Sequence, residues 1–147
     1  MKATIYIMFL LFYLFSPASV FSAEKIGYVQ TLRGSVSISR GSLSLPAQIG
    51  WAVHPGDIVR TSGKSSVGIV LNDDTTISLG PNSEFLIKNY TFDPKAGKFA
   101  FLARMIKGTF AYLSGLIGKL SPDTVQLEIP EATIAIRGTK LLIEVLE

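Results

Sequence analysis

The chain has no cysteine and only one histidine among its 147 residues. Without cysteine it can form no disulfide, thiolate metal site, thiol nucleophile or lipid-modified N-terminal cysteine. A single histidine, His54, excludes a metal site built from several histidines of one chain. A catalytic triad is disfavoured as well, because the sequence contains no Gly-x-Ser-x-Gly elbow. We therefore expect neither a metal nor another cofactor.

Charged residues are also few, at 17% of the chain, and the net charge is only +3. Lysine and arginine are scattered singly from Lys25 to Lys140, without a run of even three. Proteins that bind nucleic acid usually concentrate these residues on one face, so nucleic acid is disfavoured as a partner. The hydrophobic fraction of 48% and the short length instead predict one small folded domain.

The chain has one long apolar run, residues 5–15, which follows the positive Lys2. Its length fits the roughly 7–15 residues of a signal-peptide core and is short of the roughly 20 that span a bilayer. We therefore predict a signal peptide over residues 1–23, with a mature chain that begins at Ala23 or Glu24, and export of the protein. The alternative is an uncleaved N-terminal anchor that holds the domain on the inner membrane, facing the same compartment.

From Gly27 onward, apolar residues recur at every second position in short stretches that end in glycine, proline or Asx turns. This pattern is typical of strands, and turns every 8–12 residues or so predict an all-β fold. We expect a single compact β-sandwich or β-roll over residues 24–147. The predicted core consists of Val36, Ile38, Ile58, Val67, Ile69, Ile77, Leu79, Leu127, Ile134, Ile136, Ile143 and Val145.

Two hairpins are predicted within this domain. The first joins residues 34–40 to residues 43–45, and the second joins residues 85–92 to residues 98–113 across an Asp-Pro-Lys-Ala-Gly loop. Several residues early in the last stretch favour helix, but the neighbouring strands make a strand the better interpretation. Residues 113–120 contain two glycines and are predicted as a loop or one short helical turn.

The last predicted strand, Thr139 to Val145, has apolar residues on both faces. Leu142 and Leu146 lie opposite the predicted inward row, and an exposed edge of this kind is usually blunted in soluble proteins. We expect that something else covers the edge or that further strands are missing. Leu142 and Leu146 are therefore candidate contacts for a second copy or another partner, whereas the charges of Lys140 and Glu144 favour an edge protected within its own fold.

A series of spaced elements resembles the FecR-type domain over nearly all of the predicted mature chain. The most specific part is the block 114–123 followed by residues 130–139, which is similar to the closing signature of stand-alone members of that family. The residues that carry the resemblance are Gly34, Gly50, Gly56, Asp57, Thr61, Asp73, Gly108, Gly115, Gly118, Pro130, Ala132, Arg137, Gly138 and Thr139.

The resemblance implies an exported protein in the periplasm of a Gram-negative cell. The family takes its name from the periplasmic portion of inner-membrane regulators that relay the occupancy of iron-siderophore transporters to a sigma factor. Because no segment that could bind a sigma factor precedes the apolar run, we expect no complete relay from this chain. The family commonly has Asp-Gly where this chain has Asp73-Asp74, so the turn type stays open here.

Two stretches of clustered acids, around Asp57 and Asp73, could offer oxygen ligands to calcium. Asx residues are equally the ordinary residues of tight turns, and we favour that role. Arg137 could hold a partner's carboxylate, but its position between strands favours a structural role. We expect it to bond loop carbonyls beside a bulge at Gly138.

Other candidate groups are supported more weakly. His54 precedes a proline in a turn and is interpreted as a surface residue. Glu84 and Glu128 could in principle serve as paired carboxylates for glycoside hydrolysis, although nothing selects them over other acids. Five aromatic residues could form a shelf for a sugar or peptide, but aromatics in a small β domain are more often core: Trp51, Tyr90, Phe92, Phe99 and Phe101.

These observations favour a non-enzymatic binding or scaffold module that recognises another component of the cell envelope, either a protein or a glycan. The alternative is a sensory component of iron-siderophore signalling that lacks its own membrane relay. A hydrolase of envelope glycan is a third class, which no motif in the sequence supports. Contact with a membrane is expected only through an uncleaved signal segment.

Overall fold

The structure is a computed structural model that describes residues 23–138 and 140–146. The predicted signal peptide therefore lies outside the described residues, apart from Ala23, and so does the predicted motif residue Thr139. Within the described ranges, no helix has both the length and the apolar character needed to cross a membrane.

The described residues form strands with one short helix, which confirms the all-β prediction. The helix α1 (Leu116–Leu120) and a 3-10 turn (Pro122–Thr124) occupy the region predicted as a loop or short helical turn. The strands are β1 (Gly27–Arg33), β2 (Val36–Arg40), β3 (Leu43–Pro46), β4 (Ala52–Val53), β5 (Ile58–Thr61), β6 (Ser66–Leu71), β7 (Thr76–Leu79), β8 (Glu84–Asp93), β9 (Lys98–Leu113), β10 (Val125–Ile129), β11 (Ala132–Ala135) and β12 (Lys140–Val145).

The strands make one curled sheet in the order β3-β2-β5-β8-β9-β7-β6-β1-β4. Strand β9 is 16 residues long and belongs to both halves of the curl: its first part pairs with β8 and its last part with β7. On its other edge, β10 pairs with the first part in parallel and β12 pairs with the last part in antiparallel fashion. Both predicted hairpins, β2-β3 and β8-β9, are confirmed.

Gly108 lies between the two parts of β9, and its φ of 94° is in a region that favours glycine. A side chain could not replace its hydrogen, because a Cβ there would lie 2.5 Å from the Cα of Ser83. Strand β8 begins at Glu84, directly after Ser83. Its pairing with β9 shifts register between Glu84 and Phe85. Close contact and positive φ together place the boundary between the two halves of the sheet at this glycine.

The core fills the space inside the curl. At its centre the rings of Phe85 and Phe110 stack with centroids 5.2 Å apart, which joins β8 to the last part of β9. Eight of the predicted core residues are buried and confirm that part of the prediction: Val36, Ile38, Val67, Ile69, Ile77, Leu79, Leu127 and Ile136.

The other four predicted core residues are only partly buried. The prediction of Ile58 is wrong because β5 is apolar on both faces, and its register with β8 turns Val59 inward opposite Phe85. Ile134 is half-buried because, among the described strands, β11 pairs with β10 alone. Ile143 and Val145 pack against the core from β12 but stay half-exposed, since β9 is the one described strand that pairs with β12.

Candidate functional site

The two most specific parts of the predicted family signature meet at one surface cleft of about 510 Å³. The first part contributes α1 and the 3-10 turn that follows it, and the second contributes the segment after β11. We call this the signature cleft, and it is lined by Ser114, Gly118, Lys119, Pro122, Asp123, Arg137 and Gly138.

Hydrogen bonds between backbone groups bring these two segments together. Helix α1 ends where the N–H of Ser121 donates to the carbonyl of Ile117, and the 3-10 turn follows directly. The N–H of Ile136 donates to the carbonyl of Val125, which fixes the segment after β11 beside the start of β10. Arg137 therefore lies next to the 3-10 turn, although it is distant from α1 in sequence.

The charged groups of the signature cleft are exposed. Arg137 donates from Nη2 to Oδ1 of Asp123 at 2.9 Å, and both side chains are more than three-quarters exposed. The expectation that Arg137 bonds loop carbonyls is wrong, because the 3-10 turn presents a carboxylate to it instead. An exposed ion pair of this kind contributes little to stability, so both charges remain accessible to a partner.

Asp73 fixes the position of α1 from within the protein. Its carboxylate is fully buried, and Oδ2 accepts hydrogen bonds from the N–H of Ile117 at 3.0 Å and the hydroxyl of Thr75 at 2.7 Å. Its backbone carbonyl accepts the N–H of Leu116 at 2.7 Å. Gly115 passes so close that an added Cβ would meet the carbonyl of Asp73 and could not be accommodated. The predicted turn role of Asp73 therefore extends to holding the helix.

Tyr90 completes this buried network from β8. Its hydroxyl donates to Oδ1 of Asp73 at 2.9 Å and accepts the N–H of the same residue. Burial, together with the charge of Asp73, raises the pKa of the Tyr90 phenol, so the phenol stays neutral. The sequence pattern did not identify Tyr90 as the partner of Asp73, because 17 residues separate them.

Asp57 is the second fully buried carboxylate, and it is also structural. Arg40 donates to both of its oxygens, from Nε and Nη2, each at 2.8 Å, and this hydrogen-bonded pairing raises the pKa of Arg40. The N–H of His54 donates to Oδ2 at 2.9 Å. These bonds tie β2 to the turn before β5.

His54 is not the surface residue that the sequence suggested. Its side chain is only 16% exposed, because the hydrogen bond from its own N–H to Asp57 folds the turn inward. The Nδ1 atom is buried 4.0 Å from Oδ2 of Asp57 and has no hydrogen-bond partner among the described residues.

The candidate carboxylate pair Glu84 and Glu128 is divided between two separate ion pairs. Glu84 accepts from Arg60 at 2.9 Å, and Glu128 accepts from Lys88 at 2.9 Å. No hydrogen bond joins the two glutamates. Within the described part of the chain, no group of three or more histidine, aspartate or glutamate residues could hold a metal ion.

The five candidate aromatic residues do not form one exposed shelf. Phe101 and Tyr90 are core residues that meet edge to face with ring centroids 6.5 Å apart. Phe92 and Phe99 pair across the β8-β9 hairpin and are partly buried, as is Trp51 beside β4. The core interpretation of these side chains is confirmed for Tyr90 and Phe101.

Six further motif residues of the described chain do not line the signature cleft. Gly34, Gly50 and Gly56 are in turns and have positive φ. The buried hydroxyl of Thr61 donates to the carbonyl of Gly80 at 2.6 Å. Pro130 and Ala132 belong to the β10-β11 turn region, and the exposed Leu142 and Leu146 lie on β12 and directly after it.

Two cleft residues, Lys119 and Asp123, belong to the closing signature, but the sequence alone did not identify them as site residues. Their exposure and their position beside Arg137 become apparent only in the folded chain. The available signal was the placement of a basic and an acidic residue within one short Gly-x-x-Gly-Lys and Pro-Asp block.

Residues 57–147 match the family model described as FecR protein, and the chain belongs to this family. The matched region includes both segments that line the signature cleft. The family is a regulatory and signalling family linked to the cell surface, and it is not an enzyme family. Comparison with curated proteins and with solved structures gave no match.

Proposed function

We propose that this protein is a non-enzymatic binding module of the periplasm that recognises another protein of the cell envelope through the signature cleft. The observation that carries the proposal is the meeting of the two signature segments at one exposed cleft. The charged side chains there point outward, whereas the most buried carboxylates, Asp57 and Asp73, are engaged in holding turns and α1.

The surface beside the cleft favours a protein partner over a glycan. Leu116 and Leu120 are one helical turn apart on α1 and are 41% and 60% exposed. Leu113, at the end of β9, is 51% exposed. Apolar contacts surrounded by charged groups are typical of protein interfaces. Lys119 and Arg137 exceed the single acid Asp123 in charge, so we expect the partner to contribute a carboxylate.

Site-specific photocrosslinking in living cells tests this proposal. A photoreactive amino acid at Leu120 should yield an adduct with an envelope protein, and the same probe at Lys95 should not, because Lys95 lies in the β8-β9 loop and does not line the cleft. Combining Lys119→Glu with Arg137→Glu should remove the adduct. Equal adducts from both probe positions, or an adduct with glycan alone, would show that the cleft does not bind a protein.

Export to the periplasm is part of the same proposal and rests on the apolar N-terminal run and the family. The mass of the protein recovered from the periplasmic fraction should correspond to a chain that begins at Ala23 or Glu24. Recovery with residues 1–23 intact in the inner-membrane fraction would indicate the anchored form instead. Recovery only from the cytoplasm would contradict export.

A second candidate is a sensory role in iron-siderophore signalling, and it is favoured by the link of the family to cell-surface signalling. In this role the domain would use a membrane relay that belongs to another protein. Deleting the chain should then abolish induction of a siderophore transporter when its ligand is supplied. Unchanged induction would leave the binding module as the function.

A further inference from the structure

We propose that two copies of this protein associate through β12, as antiparallel neighbours related by a two-fold axis that lies midway between their Leu142 residues. The pairing would join the curled sheets of the two copies edge to edge. It uses a different surface from the signature cleft, so it adds self-association to the proposed binding function.

Strand β12 offers the edge that such pairing needs. It pairs with β9 on one side, and no other described strand pairs with it. Its outer face carries Lys140, Leu142 and Glu144, all exposed, and Leu142 is 68% exposed. Unpaired edge strands expose backbone donors and acceptors to which another chain can add.

Symmetry restricts how a second copy can pair with this edge. A two-fold axis perpendicular to the sheet leaves each side chain on its own face, and opposed residues in an antiparallel pair share a face. One residue must therefore lie opposite its own copy, with the axis midway between the two; we name each axis by that residue. Among the central residues of β12, this leaves axes at Leu141, Leu142 and Ile143.

Charge complementarity selects one of these three registers. With the axis at Leu142, Lys140 of each copy lies opposite Glu144 of the other, and the two Leu142 side chains meet between these pairs. An axis at Leu141 would place Lys140 opposite Leu142, and an axis at Ile143 would place Leu142 opposite Glu144. Lys140 and Glu144 disfavour pairing of this edge with other strands. They are complementary to the same two residues of a second copy.

The surroundings of β12 add to this match. Neither Lys140 nor Glu144 forms an ion pair within the described residues. Glu131 and Glu144 line one pocket of about 350 Å³ at the end of the strand, so an incoming Lys140 would approach two carboxylates. On the inner face, Leu141 would lie opposite Ile143 of the second copy and add apolar contact to two half-buried side chains.

Charge reversal tests the register directly. Lys140→Glu and Glu144→Lys should each weaken self-association about tenfold or more, because like charges then oppose each other at both ends of the paired strands. Mixing the two variants should restore association, since each lysine again opposes a glutamate. Sedimentation of the separate and mixed proteins measures this, with Lys95→Glu as the control. Single variants that associate like the wild type, or a mixture that stays monomeric, would overturn the proposal.

The absence of native cysteine allows a second test. In the proposed register the two Leu142 side chains are direct neighbours, so Leu142→Cys should form a disulfide-linked dimer on mild oxidation. Glu144→Cys places its sulfur opposite Lys140 and should crosslink far less. A wild-type protein that is monomeric at high concentration, or equal crosslinking at both positions, would overturn the proposed pairing.

Discussion

Asp73 is the residue on which the position of α1 depends. It is fully buried, and each of its carboxylate oxygens accepts two hydrogen bonds. The donors come from its own turn, from β8 and from the start of α1. A buried carboxylate is stable only where its hydrogen bonds are satisfied, so this network also fixes the segments that contribute its donors.

Asp73→Asn should lower the free energy of unfolding by about 3 kcal/mol. Whichever way the amide is turned, its NH2 group faces a backbone N–H, of Thr75 or of Ile117, that previously donated to a carboxylate oxygen. Urea denaturation measures the change. Asp74→Asn is the matched control, because Asp74 is exposed, and this substitution should change stability by less than about 0.5 kcal/mol. Equal effects of the two substitutions would contradict the role assigned to Asp73.

Asp74 occupies the position where the family commonly has glycine, and its φ is 65°. Aspartate tolerates this conformation better than most residues, but glycine adopts it without steric cost. Asp74→Gly should therefore stabilise the protein by about 0.5 kcal/mol, and Asp74→Ala should destabilise it by about 1 kcal/mol. Thermal unfolding compares the three proteins, and a stabilising Asp74→Ala would show that the turn conformation is not strained.

Tyr90 makes stability depend on pH in the alkaline range. Burial and Asp73 raise the pKa of its phenol above the usual 10.0, so folding favours the neutral form. This contribution is present in full below about pH 10 and is lost as the pH rises above that value. The free energy of unfolding should therefore fall more steeply in the wild type than in Tyr90→Phe above about pH 10. If urea denaturation gave the same pH dependence of this free energy for both proteins, the role assigned to Tyr90 would be contradicted.

At the scale of elements, β9 organises the fold. Its first part carries β8 and β10, and its last part carries β7 and β12, with Gly108 between the two parts. Because α1 follows directly after β9 and β10 returns to its first part, this strand also sets the distance between the two signature segments.

Gly108→Ala should destabilise the protein by more than about 3 kcal/mol, because it combines a positive φ with a clash against the backbone of Ser83. Gly97→Ala is the matched control: its φ is 64°, but a Cβ there would meet nothing within 4 Å. That change should cost about 1 kcal/mol. Similar losses for both variants in urea denaturation would mean that close packing at Gly108 is unimportant.

Local elements of this fold could be predicted from the sequence, whereas pairing between distant segments could not. The β2-β3 and β8-β9 hairpins follow from alternation and from turn residues close in the chain. In β5, by contrast, Ile58 and Val59 are both apolar, so alternation does not decide which one faces inward. The parallel pairing of β10 with β9 is a long-range contact without any local signal.

The same distinction applies to the candidate site. The closing signature contains the two segments that line the cleft, and the turn role of Asp73 followed from its residue type. The pairing of Arg137 with Asp123 spans 14 residues and depends on how β10 and β11 return along β9. Sequence reasoning could therefore name Arg137 but could not identify the group that it contacts.

At the scale of the whole molecule, the curled sheet brings the end of β9 and the end of β11 to one surface. The buried network at Asp73 holds α1 from inside, and the exposed Lys119, Asp123 and Arg137 face solvent. The molecule thus separates the groups that maintain the fold from the groups available to a partner. This separation supports the proposal that the signature cleft binds a partner.

Titration calorimetry gives the most direct test of recognition through the signature cleft. It measures the affinity of the purified protein for the envelope protein captured by the probe at Leu120. Combined Lys119→Glu and Arg137→Glu should weaken binding at least about tenfold, because it removes both cationic groups that would face a carboxylate of the partner. Lys95→Glu is the control, because it makes the same charge reversal at a position outside the cleft. It should leave the affinity unchanged. Wild-type affinity in the Lys119→Glu, Arg137→Glu protein would contradict recognition through the signature cleft.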